Sequence, residues 1–239
     1  MLAHSANHQV QSGALGKNVH LVATSMHELL DFIADQLPGW RDHPDRPKKT
    51  SETDLTSQLC GYLNTAARFS SGWDILQFRI EEPDEQQKGR KIDLVASPCG
   101  PTVWIEGRRC TQFDTLLPIE CKRLPTPKSK DRDEREYVIN RKATTGGIQR
   151  FKAGNHGAAH VLAGMIGYVQ AESPAIWHGR LNTWIKELDG SEHAGWTAKD
   201  LLRTDPTDTK PDLTIYRSSH AREKGLSDID IRHLWIEMS

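Results

Sequence analysis

Two short apolar runs in this sequence carry ionisable residues where none is expected. Asp93 stands between Ile92 and Leu94, Glu120 stands between Ile119 and Cys121, and Lys122 follows Glu120 by two positions. A carboxylate among apolar neighbours is costly unless it is paired, hydrogen-bonded or bound to a metal. Side chains two apart on a strand share a face. Glu120 and Lys122 should therefore project together from a strand end, beside whatever Asp93 faces. Two carboxylates and one ammonium converging on a point describe a hard-cation site with a cationic companion. Mg²⁺ takes oxygen ligands, usually one or two carboxylates with waters and phosphate oxygens. Such an ion polarises a phosphoryl oxygen and acidifies a bound water. The lysine can orient that water or neutralise charge developing on the phosphate. The rival reading of the same three residues is a structural salt bridge at a strand end.

Ile92-Asp93-Leu94, followed 27 residues on by Ile119-Glu120-Cys121-Lys122, resembles the PD-(D/E)XK, or restriction-endonuclease-like, nuclease superfamily. The resemblance covers roughly residues 50–170. It implies an α/β fold with a mixed central β-sheet flanked by helices, the Asp ending the second core strand and the E-x-K lying on the third. It implies that Asp93 and Glu120 bind Mg²⁺ or Mn²⁺, and that Lys122 serves the attacking water. The Cys121 backbone carbonyl would add a ligand, its side chain facing the core. Glu52, which opens the helix before the strands, matches the family's helix glutamate, with Asp54 in reserve. Gln149, on the helix after the E-x-K strand, matches a polar residue that touches the site in many members. The implied activity is that of a metal-dependent endodeoxyribonuclease, leaving a 5′-phosphate and a 3′-hydroxyl. Stand-alone members are often found in bacterial or phage defence and in mobile elements. Ile92 replaces the Pro of the family name. A second register, Glu106-Gly107-Arg108, gives E-x-R on the next strand. The compact ammonium of Lys122 favours Glu120, because it approaches a water more readily than a broad guanidinium.

Between Glu120 and Lys152 ten basic residues outnumber five acidic ones, an excess of +5 that leaves −6 on the rest of the chain. This asymmetry predicts a basic face for DNA, carried by Lys128, Lys130, Arg141, Lys142, Arg150 and Lys152. For residues 128–136 the alternative is a solvated loop of mixed charge. His156 and His160 form HxxxH, but a zinc site needs three or four ligands. Ser218-Ser219-His220 with Asp228 lacks a nucleophile elbow. Gly146-Gly147 lacks the Walker spacing. From a different class of function, a catalytically inactive nucleic-acid-binding or scaffold protein with the nuclease fold would also fit. So, more weakly, would an interaction protein using the Trp-bearing stretch at 176–188.

The elements that must position these residues follow from periodicity. Residues 25–37 have Leu29, Leu30, Ile33 and Leu37 at helical spacing, with Ser25 and Glu28 as a capping box and Pro38-Gly39 as the stop. A second helix starts near Ser51. Strands are expected at 75–81, 91–96, 102–106 and 116–121, followed by a weak helix at 146–160. A buried apolar run at 161–169, a helix at 176–188 and strands at 213–217 and 231–238 complete the order. Residues 1–20 read as a loose tail and 21–239 as one nuclease-like domain with C-terminal additions. The 239 residues carry a formal net charge of −1, which excludes a uniformly basic coat. No run is long enough for a membrane span, and the start lacks an export signal. The four cysteines form no CxxC pair and read as free thiols of a cytoplasmic protein. DNA is the expected partner, with a homodimer or a second protein supplying specificity.

Overall fold

The computed structural model describes residues 24–84, 89–100, 102–105, 107–130, 132–141, 145–189, 195–204, 210, 212–222 and 225–238. The expected tail at 1–20, Glu106 of the alternative register and Lys142 lie outside the described residues. Helices α1 (Thr24–Arg41) and α2 (Glu52–Arg68) lead into strands β1 (Leu76–Pro83) and β2 (Lys91–Pro98). A small hairpin, β3 (Val103–Ile105) and β4 (Arg108–Cys110), separates β2 from β5 (Leu117–Leu124). Next come α3 (Gly147–Lys152), β6 (Leu162–Val169), α4 (Pro174–Asp189) and a 3₁₀ turn at Ala198–Asp200. Strands β7 (Arg203–Thr204), β8 (Leu213–His220) and β9 (Ile229–Glu237) end the order.

Seven of these strands form one mixed sheet in the order β1-β2-β5-β6-β9-β8-β7. The β5–β6 and β6–β9 pairs are parallel and the others antiparallel. One face of the sheet packs on α1 and α2 through Leu30, Ile33, Leu55 and Leu59, which meet Ile119, Cys121 and Ile166. The other face packs Tyr137, Phe151, Trp177 and Leu181 against Met165 and Trp235. Strand β6 is therefore buried along its whole length on both faces. This explains why its sequence shows no alternation, as expected of a central parallel strand. Gly167 lets the sheet accept an indole, since a Cβ there would stand 2.6 Å from Trp235 Cδ1.

The expected helices and strands appear in order, with β4 and β7 as additional short strands and with corrections at several boundaries. Helix α1 begins at Thr24, so Ser25 lies inside it and not at its cap. It also continues through Pro38 to Arg41, past the expected stop. An internal proline costs ~3 kcal/mol, whereas full burial of a large apolar side chain returns about 1.5–3 kcal/mol. Trp40, 1% exposed and 5.8 Å from the Tyr168 ring, supplies that return in the last turn. The helix expected over 146–160 stops at Lys152, where Gly154 and Gly157, both at positive φ, turn the chain. His156 and His160 thus do not share a helix face.

Candidate active site

Strands β2 and β5 pair at Ala96–Leu117, Val95–Pro118 and Leu94–Ile119, and their ladder ends there. β2 continues in register with β1 as far as Lys91. The two strands thus part at the positions of Asp93 and Glu120. In place of a ladder bond, Asp93 Oδ2 accepts the backbone N–H of Cys121 at 2.9 Å. The fork is filled by Lys122. Its Nζ donates to Asp93 Oδ2 and to the Cys121 carbonyl, both at 2.8 Å. Glu120 Oε2 lies 3.2 Å away and Glu52 Oε1 3.3 Å away. The sequence-expected set is brought together around one nitrogen.

Glu52 reaches the fork from the first turn of α2. Ser51 caps that helix, its side chain accepting from Asp54 N, and the helix N-terminus favours an anion there. Asp54 instead bonds Ser51 and pairs with Lys49, so Glu52 holds the site position and the reserve residue does not. Glu52 Oε2 also accepts Arg123 N at 3.3 Å. Opposite, α3 crosses close to Lys122. A Cβ on Gly147 would stand 2.5 Å from Met165 Cε, 2.8 Å from the Tyr137 carbonyl oxygen and 3.6 Å from Lys122 Cγ. Only a glycine fits against Met165 and the Tyr137 carbonyl, whereas the distance to Lys122 is ordinary packing. Cys121 points its thiol away from the fork, toward Thr56 and Tyr168, and burial raises the thiol's pKa well above its usual value.

Exposure divides the carboxylates. The Glu120 side chain is fully buried and Lys122 is 5% exposed, whereas Glu52 is 20% and Asp93 26% exposed. The half-buried pair, Glu52 and Asp93, lines a cleft with Thr53, Thr56, Ile80 and Glu81. Glu120 is held from below. Its Oε1 meets His156 Nδ1 at 2.5 Å and its Oε2 meets Arg150 Nη1 at 2.9 Å. Burial opposes the charge on Glu120, but Lys122, the His156 bond and Arg150 outweigh it and hold the carboxyl below its usual range. Burial, then the charge of Glu120, pushes Asp93 up to about 6 against the pull of Lys122. Burial disfavours the Lys122 ammonium, yet Asp93, Glu120 and Glu52 together lift its pKa well above normal.

Among the described residues no three His, Cys, Asp or Glu side chains form a preassembled metal cage. The donor chemistry nevertheless suits a hard cation. Three carboxylates and a backbone carbonyl, all oxygen, converge on the point that the Lys122 ammonium occupies. Asp93 and Glu52 are the donors open to the cleft, and the Cys121 carbonyl lies behind them, bonded to Lys122. Glu120 is the closed one, with both oxygens engaged.

The expected basic face is redistributed. Lys128 and Lys130 are exposed, as anticipated. Arg141 is exposed but bonds Asp133 at 2.9 and 3.1 Å. Arg150 is turned inward onto Glu120. Lys152 is buried, bonded to Asp200 at 2.8 Å and 5.4 Å from the Trp196 ring centroid. It cannot meet DNA as expected, because its charge balances a buried carboxylate. Gln149 does not reach the fork through any bond given to it. Its Oε1 accepts from Asn140 N and Gly146 N and so caps α3.

His156, weighed in the sequence only as half of an HxxxH pair, proves to be a partner of Glu120. Its signal was local: a histidine in Gly154-Asn155-His156-Gly157, where two left-handed glycines fold the loop tightly. A second polar cluster, built on the Ser218-Ser219-His220 stretch, lies in the other core. Asp200 bonds His220 Nδ1, His220 Nε2 meets Ser218 Oγ, and Ser218 Oγ meets His233 Nε2. The partner of His220 is thus Asp200 and not Asp228. Ser218, His220 and Asp200 are all buried, and the set forms a packed polar chain. No family model, curated protein or solved structure matches the chain.

Proposed function

We propose that this chain is a Mg²⁺-dependent deoxyribonuclease of the PD-(D/E)XK type. The observation that carries the reading is the convergence of Asp93, Glu120, Glu52 and the Cys121 carbonyl on the Lys122 ammonium, where β2 and β5 part. The four neighbouring strands β1-β2-β5-β6 form a mixed sheet with Asp93 on the second and Glu120-Cys121-Lys122 on the third. That placement supports the restriction-endonuclease-like core. Of the expected ligands, Asp93 and the Cys121 carbonyl, with Glu52, would hold the ion, which when bound would polarise the phosphate and acidify a water; Glu120, its oxygens engaged by His156 and Arg150, would anchor Lys122 beside it. Lys122 carries its charge in a site closed on the protein side, where it can orient the attacking water and offset charge forming on the phosphate. Glu52 and Asp93 define the open side by which a phosphodiester enters. Exposed Lys128 and Lys130 supply non-specific attraction for the backbone. A cytoplasmic defence or mobile-element role, with a partner or second copy supplying specificity, belongs to the same reading. No helix among the described residues is long and apolar enough to cross a membrane.

Nicking of supercoiled plasmid tests this. Wild type should cut with Mg²⁺ or Mn²⁺ and not with chelator. Asp93→Ala and Lys122→Ala should each lose cutting by roughly 10² or more while retaining the fold. DNA binding without any cutting by wild type in either metal would replace this reading with the inactive scaffold.

A further inference from the structure

The four oxygens expected to hold an ion are already occupied, and by a cation. Lys122 Nζ lies 2.8 Å from Asp93 Oδ2, 2.8 Å from the Cys121 carbonyl, 3.2 Å from Glu120 Oε2 and 3.3 Å from Glu52 Oε1. An ammonium has only three protons for these four oxygens, so it is the position of its charge among them, and not a full set of hydrogen bonds, that fills the point. A divalent ion coordinated by the same oxygens would need almost the same position, and two cations cannot share it. The two approach from different sides. The lysine stem rises from the buried side, next to Gly147 and α3. The cleft lined by Glu52 and Asp93 opens on the other side.

Glu120 gives the ammonium somewhere to go. His156 and Arg150 fix both oxygens of Glu120 from beneath. The loop that carries His156 is itself fastened, Gly157 N donating to Asp84 and Arg222 bonding the carbonyls of Gly157 and His160. Glu120 therefore stays in place as the rest of the site changes partners.

Resting on the nuclease reading above, we propose that Lys122 is an internal occupant of the metal position. Divalent-ion binding is then an exchange: the ion takes Asp93 and the Cys121 carbonyl, and the ammonium withdraws toward the pinned Glu120. In the absence of metal, the protein neutralises its own site. Its affinity for the ion is set by this competition as much as by the ligands.

The test is thermal melting titrated with Mn²⁺, and with Ca²⁺ as a second ion, on wild type, Lys122→Met and Asp93→Asn. The proposal expects Lys122→Met to melt below wild type without metal, since three carboxylates lose their shared cation. It expects the same variant to reach half-maximal stabilisation at a metal concentration roughly ten-fold or more lower than wild type, because a like charge has been removed. Asp93→Asn should lose the response. A wild-type response abolished by Asp93→Asn, with Lys122→Met binding equally or more weakly, overturns the exchange and leaves the nuclease reading standing. No response in any of the three proteins overturns the nuclease reading and the exchange with it. Should Lys122→Met fail to fold, the Lys122 ammonium resonance of wild type decides. Movement with the Ca²⁺ midpoint of the melt supports the exchange, and an unmoved resonance overturns it.

Discussion

Glu120 is the residue on which the local chemistry turns, because it is both the most buried carboxylate of the fork and the most fully bonded. Its two oxygens take His156, Arg150 and Lys122. Partners of this kind fix a carboxylate's orientation, and their loss typically costs 10–100-fold in metal affinity or activity. His156→Ala should therefore reduce nicking by roughly 10–100-fold and raise the Mn²⁺ requirement. A His156→Gln variant, which keeps a donor, should recover part of both. A His156→Ala protein that only melts earlier, with its metal requirement unchanged, would assign the histidine to packing alone. The contrast with Asp93, Glu120 and Lys122 shows what one dimension carries. A charge inside an apolar run has few explanations, so those three stand out in the sequence. His156 and Arg150 meet Glu120 only because a helix and a glycine-bent loop bring them under β5, and no periodicity encodes that.

At the scale of elements, β1 was legible from its alternation, and β2, β5 and β6 as short apolar runs bounded by turn residues. Three features were not. Helix α1 outlasts Pro38 because Trp40 finds a buried seat. Helix α3 is cut short by Gly154 and Gly157. The strand β4 hides in a polar stretch, where cross-strand pairing with β3 holds it rather than its composition. Helix α3 also invites a direct test of its close fit against the Tyr137 backbone. Gly147→Ala sets a methyl 2.8 Å from the Tyr137 carbonyl, a backbone atom that cannot turn aside. It should cost about 1–3 kcal/mol of stability and lower nicking as α3 shifts over the lysine. A variant as stable and active as wild type would show that α3 has slack. The segment before α3 carries a pH signature. Asp133 accepts from Arg135 N, Arg141 N and the Arg141 guanidinium. Burial opposes its charge, but Arg141 and those bonds bring the carboxyl down to about 2. A depressed carboxyl pKa contributes stability above its unfolded value, near ~4, and loses it as pH falls through the folded value. Asp133→Ala should melt below wild type at neutral pH by about 1–3 kcal/mol. That gap should narrow steadily as pH falls from about 4 toward 2. A gap independent of pH would contradict the assignment.

At the scale of the molecule, the net charge of −1 conceals a division of labour among cations. The sequence expected one basic face carried by Lys128, Lys130, Arg141, Lys142, Arg150 and Lys152. The fold instead spends Arg150 on Glu120, Lys152 on Asp200 and Arg141 on Asp133, while Lys128 and Lys130 are exposed. Charge counting along a chain cannot separate cations that neutralise buried anions from cations that meet solvent, which is why the face looked larger than it is. If Lys128 contacts a phosphate, Lys128→Ala should weaken binding to every DNA sequence alike and flatten the log–log salt dependence by about one. An unaltered slope would remove Lys128 from the interface. The central claim is that the oxygens at the parting of β2 and β5 form a divalent-ion site. It is tested most directly by anomalous scattering from crystals soaked in Mn²⁺. The account predicts one strong peak bonded to Asp93 and the Cys121 carbonyl, with the Lys122 side chain drawn back onto Glu120. Saturating Mn²⁺ that leaves no peak there, and Lys122 still bonded to Asp93, would contradict it.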